Sequence, residues 1–459
     1  MSPQPQSTEA PAAASRPTIL PVQFYEDRLS VSASARKPSP LWELFSAESN
    51  PGLLSLLAGK PHPDTFPFEY IHLGVRSPGA AGEQVTKELT IKDEELHVAM
   101  QYGMAPGEKE LRDWLTTLTE RVHSRGLNEG WRVSIGAGSQ DLLYKAFNAL
   151  LNPGDTVIVE GPTYPGATPI MTALGCKYVS IDVDNDGIIA SDLEKVLDNW
   201  DSSKPKPKVV YTIPFGSNPA GVTASYERRV KMLKLAKKHD FIILEDDPYY
   251  FLYYGDRPRP PSYFSLEGKI LGEVGRVLRF DSFSKVMAAG LRLGWLTGPD
   301  RLLGAIEAHS MINVVQASSI SQILAIKVLK EWGIDGFLKH VQNAANFYKR
   351  RRDVMAAALD RHMKGIAEWT QPDAAMFFWI KLKLPASVDL QNVEIDGDST
   401  TFIRSKAIDR GVLVLPGATS FVDGRQTARV RVSFSLLSDE ATEEAIKRLA
   451  TVLTEEIHS

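Results

Sequence analysis

A chain of 459 residues, 43% hydrophobic and 24% charged, has enough apolar material for at least one large core, and its length suggests about two to three domains. The formal net charge of −4 offers no basic footprint for nucleic acid, and no apolar run approaches the roughly 18 residues that cross a bilayer. One cysteine, Cys176, rules out an internal disulfide and fits a reducing compartment.

The N-terminal MSPQPQSTEAPAAASRP has no apolar segment of the secretory type and a single basic residue, Arg16. Residues 1–30 are therefore expected as a disordered Pro/Ala/Ser tail, and the cytoplasm as the compartment. Residues 31–75 are proline-punctuated, in ARKPSPLWELF and KPHPDTFPFEY. They are expected as an arm, with a short helix from Trp42, that packs with a smaller domain and a partner.

From Gly107, GEKELRDWLTTLTERVHSRG spaces Leu111, Trp114, Leu115, Leu118 and Val122 as one helical face, with Gly126 as its stop. Short β-branched runs then alternate with helices. WRVSIGAG, DTVIVEGPTYPG, GCKYVSIDV, KVVYTIPFGSNPAG, FIILEDDPYY and RVLRFDSFSK read as strands, most running into loops; SQDLLYKAFNALL and ASYERRVKMLKLAKKHD read as helices. Nearly continuous apolar strands alternating with helices predict an α/β domain over 76–335, its mostly parallel sheet covered on both faces. Beyond residue 335 a long helix, the strands MFFWIKL, GVLVLPG and ARVRVSFS, and a closing helix predict a smaller α+β domain over 336–459.

In open α/β sheets, ligands bind outside the carboxyl ends of the strands. Five loops fall there. Gly136-Ala137-Gly138-Ser139-Gln140 opens a helix, whose N-terminus suits an anion; Ser139 as a simple N-cap explains the same residues. GPTYPG brings Tyr164 to a strand end, and Asn218 in GSNPAG either makes a turn or aims its amide at a ligand. Glu245, Asp246 and Asp247 end a buried strand without a second ligand group at metal spacing, so a cationic partner such as a protonated ring nitrogen suits them better than a metal. In DSFSKVMAAGLRLGW, Ser282, Ser284 and Arg292 suit a phosphate, while Lys285, next to an apolar run, suits a carbonyl if its amine is desolvated. Each loop alone has a bland explanation. Together a phosphate cradle, a carboxylate for a pyridinium, an amide near a phenolate and a lysine for an aldehyde match pyridoxal 5′-phosphate.

With these motifs in order, the chain resembles the fold-type I pyridoxal-phosphate aminotransferases, and within them the kynurenine/2-aminoadipate and fungal aromatic-amino-acid subgroup. The resemblance runs from ARKPSPLWELF to VRVSFS and includes QYGMAPGEKELR, SNPAG where NPTG is usual, EDDPYYFL and SFSK followed by RLGW. It implies a seven-stranded-type sheet sandwiched by helices and a homodimer. It further implies Lys285 as the Schiff-base lysine, Asp246 on the pyridine nitrogen, and Tyr249 and Asn218 on the phenolic oxygen. Tyr164 would stack on the ring, and Ser139, Gln140, Ser282, Ser284 and Arg292 would hold the phosphate. Tyr102 would reach that phosphate from the other subunit. Arg431 would clamp the substrate carboxylate, with Gly59 lining the substrate site.

The implied reaction is ping-pong transfer from an aromatic amino acid, with 2-aminoadipate and kynurenine as further donors, to a 2-oxo acid such as 2-oxoglutarate. A β-lyase on the same cofactor is an alternative. A ligand-sensing domain of a transcription regulator is another, but it wants an N-terminal helix-turn-helix, and the first 30 residues are expected to be too short and too Pro/Ala-rich to form one. Two departures, Lys60 in LAGKP and Trp42 after KPSPL, lie in the arm and bear on side-chain specificity rather than on cofactor chemistry.

Overall fold

The computed structural model describes residues 16–37, 44, 50–79, 86–388 and 394–458. Its main sheet runs Trp131–Gly136, Gly294–Pro299, Val277–Ser282, Ile242–Asp246, Val209–Thr212, Thr156–Gly161 and Lys177–Asp184, with two residues, Gly187–Ile188, added at the edge. Neighbouring strands are parallel except Gly294–Pro299, which is antiparallel to both its neighbours, and the short edge pair. The central strands Val209–Thr212 and Ile242–Asp246 are buried throughout, as expected of apolar strands covered on both faces.

Register brings the chemistry to one edge. Asp246 lies opposite Phe280, and Thr212 opposite Glu245, so the loops after these strands open on the same side. The helix Lys109–His123 buries Leu111, Leu115 and Leu118. It stops before the expected Gly126, because Ser124 takes the left-handed conformation at φ 52°.

The N-terminal expectation needs correction. Of the predicted tail 1–30, Arg16 to Ser30 is packed against the large core. Thr18–Ile19 pairs in parallel with Glu273–Val274, Tyr25 and Leu29 are buried, and the Ser30 hydroxyl donates to the Asn148 carbonyl at 2.6 Å. Phe24, Tyr25 and Leu29 give this segment apolar surface to bury, and the Pro/Ala/Ser composition belongs to the residues before it. The arm departs as well: Val31–Ala35 is a helix whose Ala33 joins the large core. Trp42 and the helix expected from it lie outside the described residues. A hairpin of Tyr70–Arg76 with Thr86–Lys92 was not anticipated.

A helix of 44 residues, Ser319–His362, is broken at Gly333, where φ is 63° and ψ 178°. It starts well before the predicted change at residue 336 and serves two cores. Phe337 and Val341 belong to the large one; Ala345, Met355, Ala358 and Leu359 belong to a second. That second core holds the antiparallel sheet Ala367–Trp369, Phe377–Leu382, Arg429–Ser433 and Leu415–Pro416, closed by the helix Asp439–His458. GVLVLPG contributes only Leu415–Pro416 of the strand expected there.

Candidate active site

At the carboxyl edge of the main sheet, a cavity of about 380 Å³ collects nearly all of the candidate residues. One end suits an anion. Gly138, at φ 94°, is the residue before the helix Ser139–Leu150, and no side chain caps that helix. The capping explanation of Ser139 therefore fails: Ser139 is the first residue of the helix, and with Gln140 it lines the cavity at the helix N-terminus, an end that suits an anion. A Cβ on Gly138 would stand 2.7 Å from an Arg292 nitrogen, so glycine is what admits the guanidinium there. Arg292 Nη1 donates to Ser284 Oγ at 3.3 Å and to the Ala289 carbonyl at 3.2 Å. Ser282 Oγ accepts from the Ser284 N–H at 3.1 Å, and Gln140 donates to the Gly166 carbonyl at 2.6 Å.

The other end suits a flat cation. Asp246 is buried, and its Oδ2 accepts the Tyr211 hydroxyl at 2.7 Å. Its Oδ1 is also buried and has no hydrogen-bond partner among the described residues. Burial pushes the Asp246 carboxyl up to about 7; Tyr211 pulls it down, Asp281 raises it and Arg279 lowers it. An unpartnered buried carboxylate oxygen is costly, and a protonated ring nitrogen removes that cost. Tyr164, half-buried, and Tyr249, buried, line the same space. The residues present fit pyridoxal phosphate.

Alternation along the strand separates the three carboxylates of EDD. Asp246 faces the cavity. Glu245 instead accepts the Tyr263 and Phe264 N–H groups at 2.8 and 3.1 Å, and Asp247 accepts from Arg279 at 2.8 Å. Arg279 also makes two hydrogen bonds to Asp281.

Lys285 closes the short turn Phe283–Lys285. Its ammonium is held below the ordinary lysine range, first by burial and then by Arg431 and Arg292. Of the apolar run after it, Val286 is buried, Ala288, Ala289 and Gly290 are exposed, and Ala289 lines the same cavity as Lys285.

Arg431 arrives from the second core. Its Nη1 donates to Asn218 Oδ1 at 2.7 Å, its guanidinium carbon lies 4.3 Å from the centre of the Phe377 ring, and its Nε has no partner among the described residues. Two candidates stand outside the cavity. Tyr102 is 63% exposed, and Gly59 has open space around it. Their segments meet where Gln101 donates to the Pro61 carbonyl at 2.9 Å.

Sequence reasoning missed Phe377 and Tyr211. Each lies in an apolar strand and reads there as core. The buried charges of VLRFDS, Arg279 and Asp281, were the available signal that the floor of the site is ionic.

Residues 78–449 match the family model described as aminotransferase class I and II. The aminotransferase tdiD of Emericella nidulans is 40% identical over 415 residues, covering 90% of this chain and 92% of that one. The mitochondrial kynurenine/alpha-aminoadipate aminotransferase of Mus musculus is 36% identical, covering 94% of this chain and all of the other. Among solved structures, the aminotransferase Aro8 from Candida albicans superposes with a TM-score of 0.84 at 28% identity, covering 97% of this chain and 100% of that one.

Proposed function

The chain belongs to the class I and II aminotransferases, and on that premise we propose a substrate class and a division of labour. The enzyme moves the amino group of an aromatic amino acid, with kynurenine and 2-aminoadipate as further donors, to a 2-oxo acid such as 2-oxoglutarate. Relatives named for exactly these classes of donor support that range. The observation that carries the reading is one cavity that holds two atoms unpartnered among the described residues, an Asp246 oxygen and the Arg431 Nε, beside the disfavoured ammonium of Lys285.

Pyridoxal phosphate, when bound, supplies an aldehyde for the amino group and a protonated ring that withdraws electrons from the substrate's Cα. The chain does the rest. Ser139, Gln140, Ser282, Ser284 and Arg292 hold the phosphate. Asp246 holds the ring nitrogen's proton, Asn218 and Tyr249 serve the phenolic oxygen, and Tyr164 covers the ring face. Lys285, with its ammonium disfavoured, would act as general base at the substrate's Cα and then as general acid at the cofactor's aldehyde carbon, so that the proton changes carbon. Arg431 grips the α-carboxylate. Because both the amino donor and the oxo acceptor carry that carboxylate, one clamp serves both halves of a ping-pong cycle.

We assign Tyr102 and Gly59 to the neighbouring site of a homodimer. Leu54, Leu56, Phe68 and Tyr70, exposed on the same part of the chain, support an apolar contact there. We keep the cytoplasm as the proposed compartment; the lone Cys176 fits any reducing compartment, and the mammalian relatives named mitochondrial make cell fractionation the check. No described helix is long and apolar enough to cross a membrane.

Single-turnover rates with a panel of amino acids test the substrate class. Aromatic donors, kynurenine and 2-aminoadipate are expected to react fastest. Faster reaction with alanine or aspartate would overturn the assignment.

A further inference from the structure

We propose that Tyr211 is a positioning residue that aims and charges the Asp246 carboxylate. This inference rests on the proposed role of Asp246 toward the ring nitrogen.

Tyr211 lies on the strand Val209–Thr212, opposite Leu244 on the strand that ends in Asp246. Its ring is fully buried and meets Phe147 edge-on, with ring centres 5.7 Å apart. From there its hydroxyl reaches along the neighbouring strand to Asp246 Oδ2 at 2.7 Å. It is the hydrogen-bond donor to Asp246 among the described residues. The nearby cation Arg279 spends its hydrogen bonds on Asp281 and Asp247 instead.

Two consequences follow. A carboxylate fixed through one oxygen has its rotation set, so Oδ1 is the oxygen left to the cavity. A donor to a carboxylate also favours the ionised form over the acid. That matters here because the surroundings oppose ionisation: the carboxylates of Glu160, Glu245, Asp247 and Asp281 are buried near the same sheet edge, with Arg279 and Arg229 as the buried guanidiniums among them. Tyr211 itself remains a phenol, since burial and Asp246 both oppose its ionisation, so it can only donate to that oxygen.

Tyr211→Phe removes the hydroxyl and keeps the ring packed. The test is a titration of the full-length chain, stripped of cofactor, with two probes: pyridoxal phosphate and its carbocyclic analogue, which has C–H in place of the ring nitrogen. The wild-type chain is expected to hold pyridoxal phosphate more tightly than the analogue. Tyr211→Phe is expected to weaken pyridoxal phosphate about tenfold, the scale of one hydrogen bond to a charged group, and to leave the analogue's affinity unchanged. Equal weakening of both probes, loss of both, or no change in either overturns the proposal, because a merely structural tyrosine does not discriminate between the rings. A wild-type chain with no preference overturns the ring-nitrogen role of Asp246, and this inference with it. A preference that survives undiminished in Tyr211→Phe sinks Tyr211 alone.

Discussion

Asp246 has one oxygen held by Tyr211 and the other unpartnered among the described residues, in a site that makes its ionised form expensive. Its folded value of about 7 stands well above the roughly 3.9 of an exposed aspartate. Between those limits the folded chain, without cofactor, keeps a proton that the unfolded chain has released. This group's contribution to stability is therefore fully present below about pH 4 and is lost as pH rises through about 7. Asp246→Asn does not titrate there. In thermal melts of cofactor-free protein, the variant is expected to gain on the wild type from about pH 4 to about pH 7 and to level off above that; a constant difference across this range would mean that Asp246 titrates as an ordinary carboxylate. Arg431 allows a second prediction at this scale. Arg431→Ala removes a charge-assisted pair common to both substrates, so steady-state kinetics are expected to show KM raised about 10- to 100-fold for amino acid and oxo acid alike. A rise for one substrate only would refute a shared clamp.

Among the elements, the helix Ser319–His362 is the most exposed to a backbone test. Gly333 sits at φ 63° and ψ 178°, a region that side-chain-bearing residues rarely enter, and a Cβ there would meet nothing within 4 Å. Gly333→Ala therefore adds conformational strain without a clash, and chemical denaturation is expected to show a loss of about 1–3 kcal/mol. An unchanged stability would mean that the two halves of the helix straighten freely. The strand ends, their loops and the main helices were legible in the sequence, because period and punctuation are local properties of the chain. Ser139, Asn218, Asp246, Lys285 and Arg292 could be found for that reason. Tyr211 and Phe377 could not, since their roles depend on what the adjoining strand or domain places against them. The segment from Arg16 to Ser30 was misread because its few apolar residues were averaged with a polar, proline-rich start. The expected boundary at residue 335 falls just past the break at Gly333, inside a helix that both cores share.

For the whole molecule, the single chain leaves Tyr102 and Gly59 outside the cavity while gathering every other candidate into it. If Tyr102 serves a neighbour's phosphate, chains damaged at Lys285 and chains damaged at Tyr102 should complement one another. Mixing Lys285→Ala with Tyr102→Ala protein and allowing subunits to exchange is expected to raise activity above that of either alone, since one site in each hybrid is intact. Activity no greater than the parents' would place Tyr102 outside the site. A further consequence comes from where the clamp and the base are anchored. Lys285 stands among residues of the large core, and Arg431 on a strand of the second core, joined across the gap by its bond to Asn218. With Lys285 and Arg431 in the roles proposed above, a plain amine would engage the first and not the second, and a plain carboxylate would do the reverse. On that reading the site is a coincidence detector, answering when amine and acid arrive on the same carbon. Discrimination against simple amines would then come from the assembly left unfinished around them, rather than from one missing contact.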